Sequence, residues 1–126
     1  MHPYDHAKSS VRIWGGIPED YLAIHKWFDE TKETLGDFRH RALRHHSQGT
    51  FEAERLFGDT IQNSAGRTVP VRYIAEQHVR EDCGGIIPSV GDWLLAIKPA
   101  GWMNRGYKIE PDRETVLNQE GSDDRR

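Results

Sequence analysis

The sequence predicts a mainly α-helical domain, a compact unit of about four to five helices with a small β-hairpin or extended arm around residues 60–72. Three observations support this fold class. Apolar residues recur at helical spacing in several segments, glycine and proline separate those segments, and one β-prone stretch surrounds an Asn-Ser-Ala-Gly turn. With 126 residues, the chain is long enough to bury one hydrophobic core.

The first clear helix is predicted over residues 18–35. Pro18 suits a first helical turn, and Gly36 ends the helix. One face of this helix carries Tyr21, Leu22, His25, Phe28 and Leu35. The segment is therefore expected to pack this face against the core.

A second helix is expected to begin at Asp37, which can cap it. It either runs unbroken to Phe57 or stops at Gly49 and restarts with Thr50 as the N-cap residue. Both alternatives produce a helical hairpin with the first helix.

The remaining elements follow from local turn and capping signals. The stretch TIQNSAGRTVPVR favours a small hairpin, and residues 72–82 form a third helix that ends at a glycine pair. Ser89 and Asp92 have capping-box spacing, which predicts a last short helix ending before Pro99. One domain is expected over residues 1–102, followed by a charged, flexible tail over 103–126.

Composition favours a cytoplasmic protein that does not contact membranes. No apolar run approaches the length of a membrane span, and the first ten residues lack the apolar centre of a signal peptide. A single cysteine, Cys83, excludes an internal disulfide framework and fits a reducing compartment. Because the net charge is −3, any contact with a polyanion must be local.

The segment from Asp37 to Gly58 contains three of the seven histidines. On a continuous helix His46 lies near the centre of the apolar stripe, so its ring is expected to be buried. In the third helix His78 lies on roughly one side with Ile74, Glu81 and Asp82, so an inward-facing His78 would bring carboxylates with it. A meeting of His46 and His78 across a helix interface is the sharpest hypothesis that these patterns support.

Histidine is a common metal ligand, and these patterns predict an interhelical site for a divalent metal, zinc or manganese. The candidate ligands are His6, His40, His46 and His78. Glu54 or Glu81 is the candidate carboxylate ligand or general base. The alternative for each buried histidine is a structural one, because core imidazoles are usually satisfied by a carbonyl or a carboxylate. His25 is expected to pack in the core or lie at the surface.

A second functional hypothesis concerns the Arg/His-rich helix 39–46, which forms a compact cationic patch. Arginine binds phosphate through two parallel hydrogen bonds, so Arg41, Arg44 and His45 are candidate contacts to phosphate or to a partner. The patch would recognise a nucleotide, a nucleic acid or a protein without catalysis. A third reading, in which the protein only mediates interactions, makes every histidine structural.

Several catalytic signatures are missing from the sequence, including a P-loop, a Gly-x-Ser-x-Gly elbow and a dinucleotide fingerprint. Covalent catalysis is therefore disfavoured. The leading hypothesis is a divalent-metal-binding domain that hydrolyses a phosphate-containing substrate. Metal-bound water would be the nucleophile, Glu54 or Glu81 the base, and Arg41 or Arg44 the phosphate contact.

Five segments together resemble an uncharacterised family of small phage and bacterial single-domain proteins. These segments are HPYDHAKSS, GGIPEDYLAIHKWFDETK, FRHRALRHHSQGTFEAERLFG, TIQNSAGRTVPVRYIAEQHVRED and PSVGDWL. The resemblance covers nearly all of residues 1–102 and implies a compact single domain without naming a reaction. It also favours Glu54 over Glu52 as the functional carboxylate, and its phage association would make interference with host defence or nucleotide capture plausible roles.

Overall fold

A computed structural model describes residues 1–107 of the chain. Six α-helices and one two-stranded antiparallel hairpin lie within these residues. The helices are α1 (Pro3–Trp14), α2 (Leu22–Asp29), α3 (Arg41–Arg44), α4 (Ser47–Phe57), α5 (Val71–Asp82) and α6 (Val90–Leu94). The strands are β1 (Thr60–Gln62) and β2 (Thr68–Pro70). The predicted mainly helical fold with a small β-hairpin is confirmed.

The chain divides into two units, Met1–Trp93 and a second that begins at Leu94. The first unit contains α1 to α5 and the hairpin. In the second, a short 3₁₀ helix forms at Gly101–Asn104. The single domain expected over 1–102 stays a prediction, and most of the tail expected over 103–126 lies outside the described residues.

Helix α5 is central to the first unit, because it packs against α1, α2, α4 and the hairpin. It buries Val71, Ile74 and Val79, while Tyr21 and Phe28 provide the largest buried apolar side chains. None of the helices within residues 1–107 combines the length and the apolarity needed to cross a lipid bilayer. The core lies between short amphipathic helices around α5.

A sharp corner separates α3 from α4. Both alternatives predicted for this helix are wrong, because the break falls at His45 and His46 and not at Gly49. His46 is extended, with φ −161° and ψ 172°, and its Nδ1 accepts a hydrogen bond from the backbone N–H of Gly49. A Cβ atom at Gly49 would collide with the carbonyl oxygen of Arg44. Gly49 therefore permits the corner instead of ending a helix.

The hairpin is held to the segment before α2 by the carboxylate of Asp20. The hairpin pairs Ile61 with Val69. Oδ2 of Asp20 accepts hydrogen bonds from the backbone N–H of Ile17 at 2.9 Å, the N–H of Ser64 at 3.0 Å and the Ser64 hydroxyl at 2.8 Å. Partial desolvation raises the pKa of Asp20, but these hydrogen bonds lower it below its ordinary value.

We expect Asp20→Ala to lower the free energy of unfolding by about 1–2 kcal/mol at neutral pH, because hydrogen bonds to a carboxylate are lost. The folded-state pKa of Asp20 is depressed, so its stabilisation is present above the ordinary value of 3.8 and disappears as the pH falls through the lower folded value. Urea unfolding at neutral and acid pH would therefore show a difference from wild type that shrinks in acid. Glu19→Ala, a change of the adjacent exposed carboxylate, is the control, and equal stabilities at neutral pH would contradict the expectation.

Candidate metal centre

Three imidazoles surround the carboxylate of Asp82 at the end of α5. Nε2 of His45 lies 2.9 Å from Oδ2 of Asp82, and Nε2 of His78 lies 3.2 Å from the same oxygen. Nε2 of His6 lies 3.2 Å from the other oxygen, Oδ1. The rings of His6 and His78 stack with their centroids 3.8 Å apart. Asp82 therefore lies where three ring nitrogens converge.

A second carboxylate, Asp29, closes the opposite side of this cluster. Its Oδ1 lies 3.4 Å from Nε2 of His78 and 3.7 Å from Nε2 of His45. Asp29, His45, His78 and Asp82 each offer one ligand atom, and these four atoms lie within 4.8 Å of one another. Ligand atoms bound about 2.1 Å from one ion lie about 3.0–3.4 Å apart, which is close to these separations. The described residues thus include a His/Asp cluster that could hold a metal ion.

The cluster is buried, and several of its ligand atoms are not hydrogen-bonded. The three imidazoles are 0% exposed, and the carboxylate side chains are 2% exposed at Asp82 and 7% at Asp29. Nε2 of His6, Nε2 of His78 and Oδ2 of Asp29 have no hydrogen-bond partner within residues 1–107. Buried polar atoms are nearly always paired, and the two Nε2 atoms, which face the carboxylate of Asp82, could be paired by a metal ion.

Helical spacing brings the cluster together from four parts of the fold. His25 and Asp29 lie one turn apart on α2, and His78 and Asp82 lie one turn apart on α5, so each pair shares a helix face. α1 contributes His6. The corner between α3 and α4 turns His45 into the same space, since its backbone at φ −85° and ψ 69° leaves the helical conformation.

A second layer of hydrogen bonds holds the distal ring nitrogens of His6 and His78, whereas Nδ1 of His45 has no hydrogen-bond partner within residues 1–107. Nδ1 of His6 lies 2.7 Å from Oε1 of Glu81. Nδ1 of His78 lies 3.0 Å from Nδ1 of His25, and Nε2 of His25 lies 2.8 Å from the hydroxyl of Ser10. Such contacts to the distal nitrogen are typical of metal-binding histidines, because they fix the tautomer and the ring orientation.

The environment favours ionised carboxylates. Burial raises the pKa of Asp82, but interactions with His45, His6 and His78 lower it far below its ordinary value. Burial likewise raises the pKa of Asp29, but the interactions with His78 and Lys32 together lower it below its ordinary value. The centre therefore carries negative charge that a cation can neutralise.

The imidazoles differ in charge. Burial lowers the pKa of His45 to about 4 against the opposing effect of Asp82. Burial and the neighbouring imidazoles lower the pKa of His25 to about 2. Burial also lowers the pKa of His6, but the carboxylates of Asp82 and Glu81 raise it above the ordinary value. His45 and His25 are thus neutral at pH 7, which is the form that binds a metal.

Comparison with protein families identifies the domain. Residues 1–103 match the family described as Domain of unknown function (DUF6915). The chain belongs to the DUF6915 family. This agrees with the uncharacterised family that the sequence resembles, although the description of DUF6915 states neither a phage origin nor an activity. Searches of curated proteins and of solved structures found no match to the chain.

In this DUF6915 domain, the predicted metal ligands fall into two groups. His6 and His78 lie in the centre. His40 is buried beside it, with Nδ1 2.8 Å from the Thr31 hydroxyl. His46 caps α4 and hydrogen-bonds the carbonyl oxygen of Leu43 through Nε2, so it does not meet His78. The place expected for His46 is taken by the adjacent His45.

The predicted carboxylates and phosphate contacts are also separated. Glu81 contacts His6, whereas Glu54 lies on α4 outside the groups of converging ligand atoms. Arg41 lies beside the centre, with Nη1 3.2 Å from the carbonyl oxygen of Asp82. His45 is completely buried and cannot reach a partner at the surface.

The other arginines of the segment 39–46 have partners of their own. Arg44 stacks on the ring of Trp27 at 4.2 Å and pairs with Glu30 at 3.0 Å. Arg39 pairs with Asp37 at 2.8 Å. Neither arginine extends freely toward a ligand, so the cationic patch is smaller than its sequence suggests.

The sequence prediction omits Asp29, places Asp82 beside His78 without naming it as a ligand, and expects His25 in the core or at the surface. The signal that could have found them is a repeated spacing, His-x-x-x-Asp, at His25 and Asp29 and again at His78 and Asp82. Residues four apart lie on one helix face, so each pair presents an imidazole and a carboxylate together.

We expect Asp82→Asn to lower the free energy of unfolding of the metal-free domain by about 3 kcal/mol, because a buried charge network loses the partner of its imidazoles. Asp5→Asn is the matched control, since the Asp5 side chain is 51% exposed and, within the described part of the chain, pairs only with Lys8 at the surface. Denaturant unfolding in buffer with a chelator would measure both. Equal stability of Asp82→Asn and wild type would contradict a structural role of the carboxylate.

Proposed function

We propose that this domain binds one divalent metal ion at the buried His/Asp centre. Asp29, His45, His78 and Asp82 would bind the ion directly, with His6 as a further donor through Nε2. This proposal agrees with the two predicted ligands that lie in the centre, His6 and His78, and replaces His46 by His45.

The observation that carries the proposal is the unsatisfied Nε2 of His6, which faces a carboxylate oxygen of Asp82. Glu81 accepts a hydrogen bond from Nδ1, so in a neutral His6 ring Nε2 is a lone pair. This Nε2 lies 3.2 Å from Oδ1 of Asp82 without a hydrogen bond. Two acceptors that face each other in a buried site repel unless a proton or a metal ion lies between them, and the raised pKa of His6 indicates that positive charge is favoured at this position.

The donor set also favours a class of metal. Three imidazole nitrogens and two carboxylates suit borderline transition ions such as zinc or manganese. Magnesium and calcium prefer oxygen ligands, and magnesium also keeps several bound water molecules. A centre in which imidazoles supply most donors, with every ligand side chain nearly inaccessible to solvent, favours zinc or manganese over both.

We expect wild-type protein, purified without an affinity tag, to contain zinc or manganese near stoichiometry and to lose thermal stability on chelation. An ion that binds only the folded state stabilises it by about 2.7 kcal/mol at a hundredfold excess over Kd. His45→Asn should abolish both the metal and the chelator effect. Elemental analysis and thermal unfolding with and without chelator would measure these results.

The adjacent histidine supplies the matched control. His46→Asn changes the same residue type one position away, and asparagine can also cap α4, so metal content should stay at the wild-type level. Wild-type protein without metal after reconstitution with zinc and manganese would refute the proposal. Equal metal loss in both variants would refute the assignment of His45.

A second candidate function, metal-assisted hydrolysis of a phosphate-containing substrate, is favoured by Arg41. Its guanidinium lies at the boundary between the centre and solvent, with the side chain 30% exposed and Nη2 3.9 Å from Oδ1 of Asp82. Its buried Nε has no hydrogen-bond partner in the described part of the chain. An arginine beside a metal could hold a phosphate while metal-bound water attacks it.

Glu81 is the better placed of the two candidate bases. Its side chain is 25% exposed and hydrogen-bonded to Nδ1 of His6, whose Nε2 faces Asp82. A carboxylate in this position could accept a proton from the centre through the imidazole of His6. Glu54 has no comparable contact with the centre among residues 1–107.

We expect zinc- or manganese-loaded protein to turn over at least one member of a panel of phosphomonoesters and phosphodiesters. Arg41→Ala should lower kcat/KM by at least tenfold, because the phosphate loses a charge-assisted contact, about 1.4 kcal/mol or more. Arg39→Ala, whose guanidinium pairs with Asp37 at the surface, should leave the rate unchanged. Absence of turnover by the metal-loaded protein, or equal rates for both variants, would contradict this second function.

A further inference from the structure

The amide of Gln77 has a fixed orientation because of its acceptors. Its Nε2 lies 2.9 Å from the carbonyl oxygen of His6 and 3.0 Å from Oε1 of Glu81, and both of these atoms only accept. The nitrogen must therefore occupy this side of the amide. Oε1 of Gln77 consequently faces the hydroxyl of Ser10 and can only accept from it.

The hydroxyl of Ser10 has one proton and three neighbours. Its oxygen lies 2.6 Å from Oε1 of Gln77, 3.2 Å from the carbonyl oxygen of His6 and 2.8 Å from Nε2 of His25. The two oxygens compete for the hydroxyl proton, and the shorter contact goes to Gln77. Because that proton is used, Ser10 accepts a hydrogen bond from His25, whose Nε2 therefore carries a proton.

The position of the proton on His25 determines which ring nitrogen of His78 is protonated. Both rings are completely buried, and the ring nitrogens of His25 contact only Ser10 and His78 among the described hydrogen-bonding groups. An imidazolium at His25 would lack a carboxylate partner, so His25 is neutral. With Nε2 protonated, its Nδ1 is an acceptor, and the 3.0 Å contact requires Nδ1 of His78 to donate.

We infer that Gln77, Ser10 and His25 form a hydrogen-bond relay that keeps a proton on Nδ1 of His78 and thereby directs Nε2 of His78 to the centre. The relay makes Ser10, His25 and Gln77 positioning residues for His78. Its effect on metal affinity rests on the proposed function, whereas the direction of its hydrogen bonds does not.

The amide of Gln77 also contacts Glu81, the partner of His6 on the other side of the centre. Gln77 donates to Glu81, and Glu81 accepts from Nδ1 of His6. His6 and His78 therefore both have a protonated Nδ1 and both turn Nε2 toward Asp82. Glu81 therefore fixes the tautomer of His6, whereas Gln77 fixes that of His78 through Ser10 and His25.

The direct test is nuclear magnetic resonance of protein labelled with ¹⁵N at histidine, using long-range ¹H–¹⁵N correlations within each ring. We expect His25 to carry a proton on Nε2 and none on Nδ1, and His78 to carry a proton on Nδ1. Both should hold in metal-free and in zinc-loaded protein. A proton on Nδ1 of His25, or an unprotonated Nδ1 of His78, would overturn the relay.

Ser10→Ala tests the consequence, because it removes the acceptor for Nε2 of His25. The proton of His25 should move to Nδ1, the proton of His78 should move to Nε2, and zinc affinity should fall about 10–100-fold. Ser9→Ala is the matched control, since among residues 1–107 the Ser9 hydroxyl accepts a hydrogen bond only from Arg12, at the surface of the same helix. It should change neither the ring protonation nor the affinity.

Ring protonation and zinc binding are measured separately, so the relay and the metal proposal can fail independently. Expected ring protonation in a protein that binds no metal would support the relay and refute the proposed function. Zinc binding with the opposite ring protonation would overturn the relay and leave the proposed function standing. Wild-type ring protonation together with wild-type zinc affinity in folded Ser10→Ala would also overturn the relay.

Discussion

The burial of the Asp82 carboxylate is the constraint on which the rest of the first unit depends. An ionised group with 2% side-chain exposure is tolerated only when charged or polar partners replace water. Those partners come from α1, from the corner between α3 and α4, and from α5 itself. The charge of Asp82 is therefore compensated by side chains from three separate parts of the chain that meet at the end of α5. Apolar packing and the polar cluster meet at Phe28, because its ring stacks on His78 with 4.8 Å between the ring centroids.

Local signals in the sequence were sufficient for most of the fold. Capping residues, glycine pairs and the Asn-Ser-Ala-Gly turn predict the third helix and the hairpin to within two residues, whereas the last helix begins as predicted and ends earlier, at Leu94. The corner between α3 and α4 could not be predicted in this way. One of the two predicted alternatives treats Gly49 as a helix breaker, but glycine is needed there because a side chain would collide with Arg44. Because the helix breaks at His45 and His46 and not at Gly49, His45 contacts Asp82 in the centre and His46 caps α4.

The candidate centre was predictable only in part, for a related physical reason. A helical wheel shows which residues share a face, and it correctly groups His78 with carboxylates. It does not show which faces of two helices meet, and that depends on packing across the whole unit. The spacing of His25 and Asp29 was visible in the sequence, but its value as a signal depends on α2 and α5 lying side by side. Polar residues at such core positions contradict simple patterning, and departures of this kind concentrate at functional sites.

The distance along the chain between the residues of the centre has a consequence for the order of biosynthesis. His6 and its partner Glu81 are 75 residues apart, so the site does not exist in a nascent chain that lacks α5. Closing so long a loop costs chain entropy, which the contacts of the finished unit must repay. An ion that used this centre would therefore enter after synthesis of α5, and a chain truncated before α5 would expose isolated histidines without assembling a site.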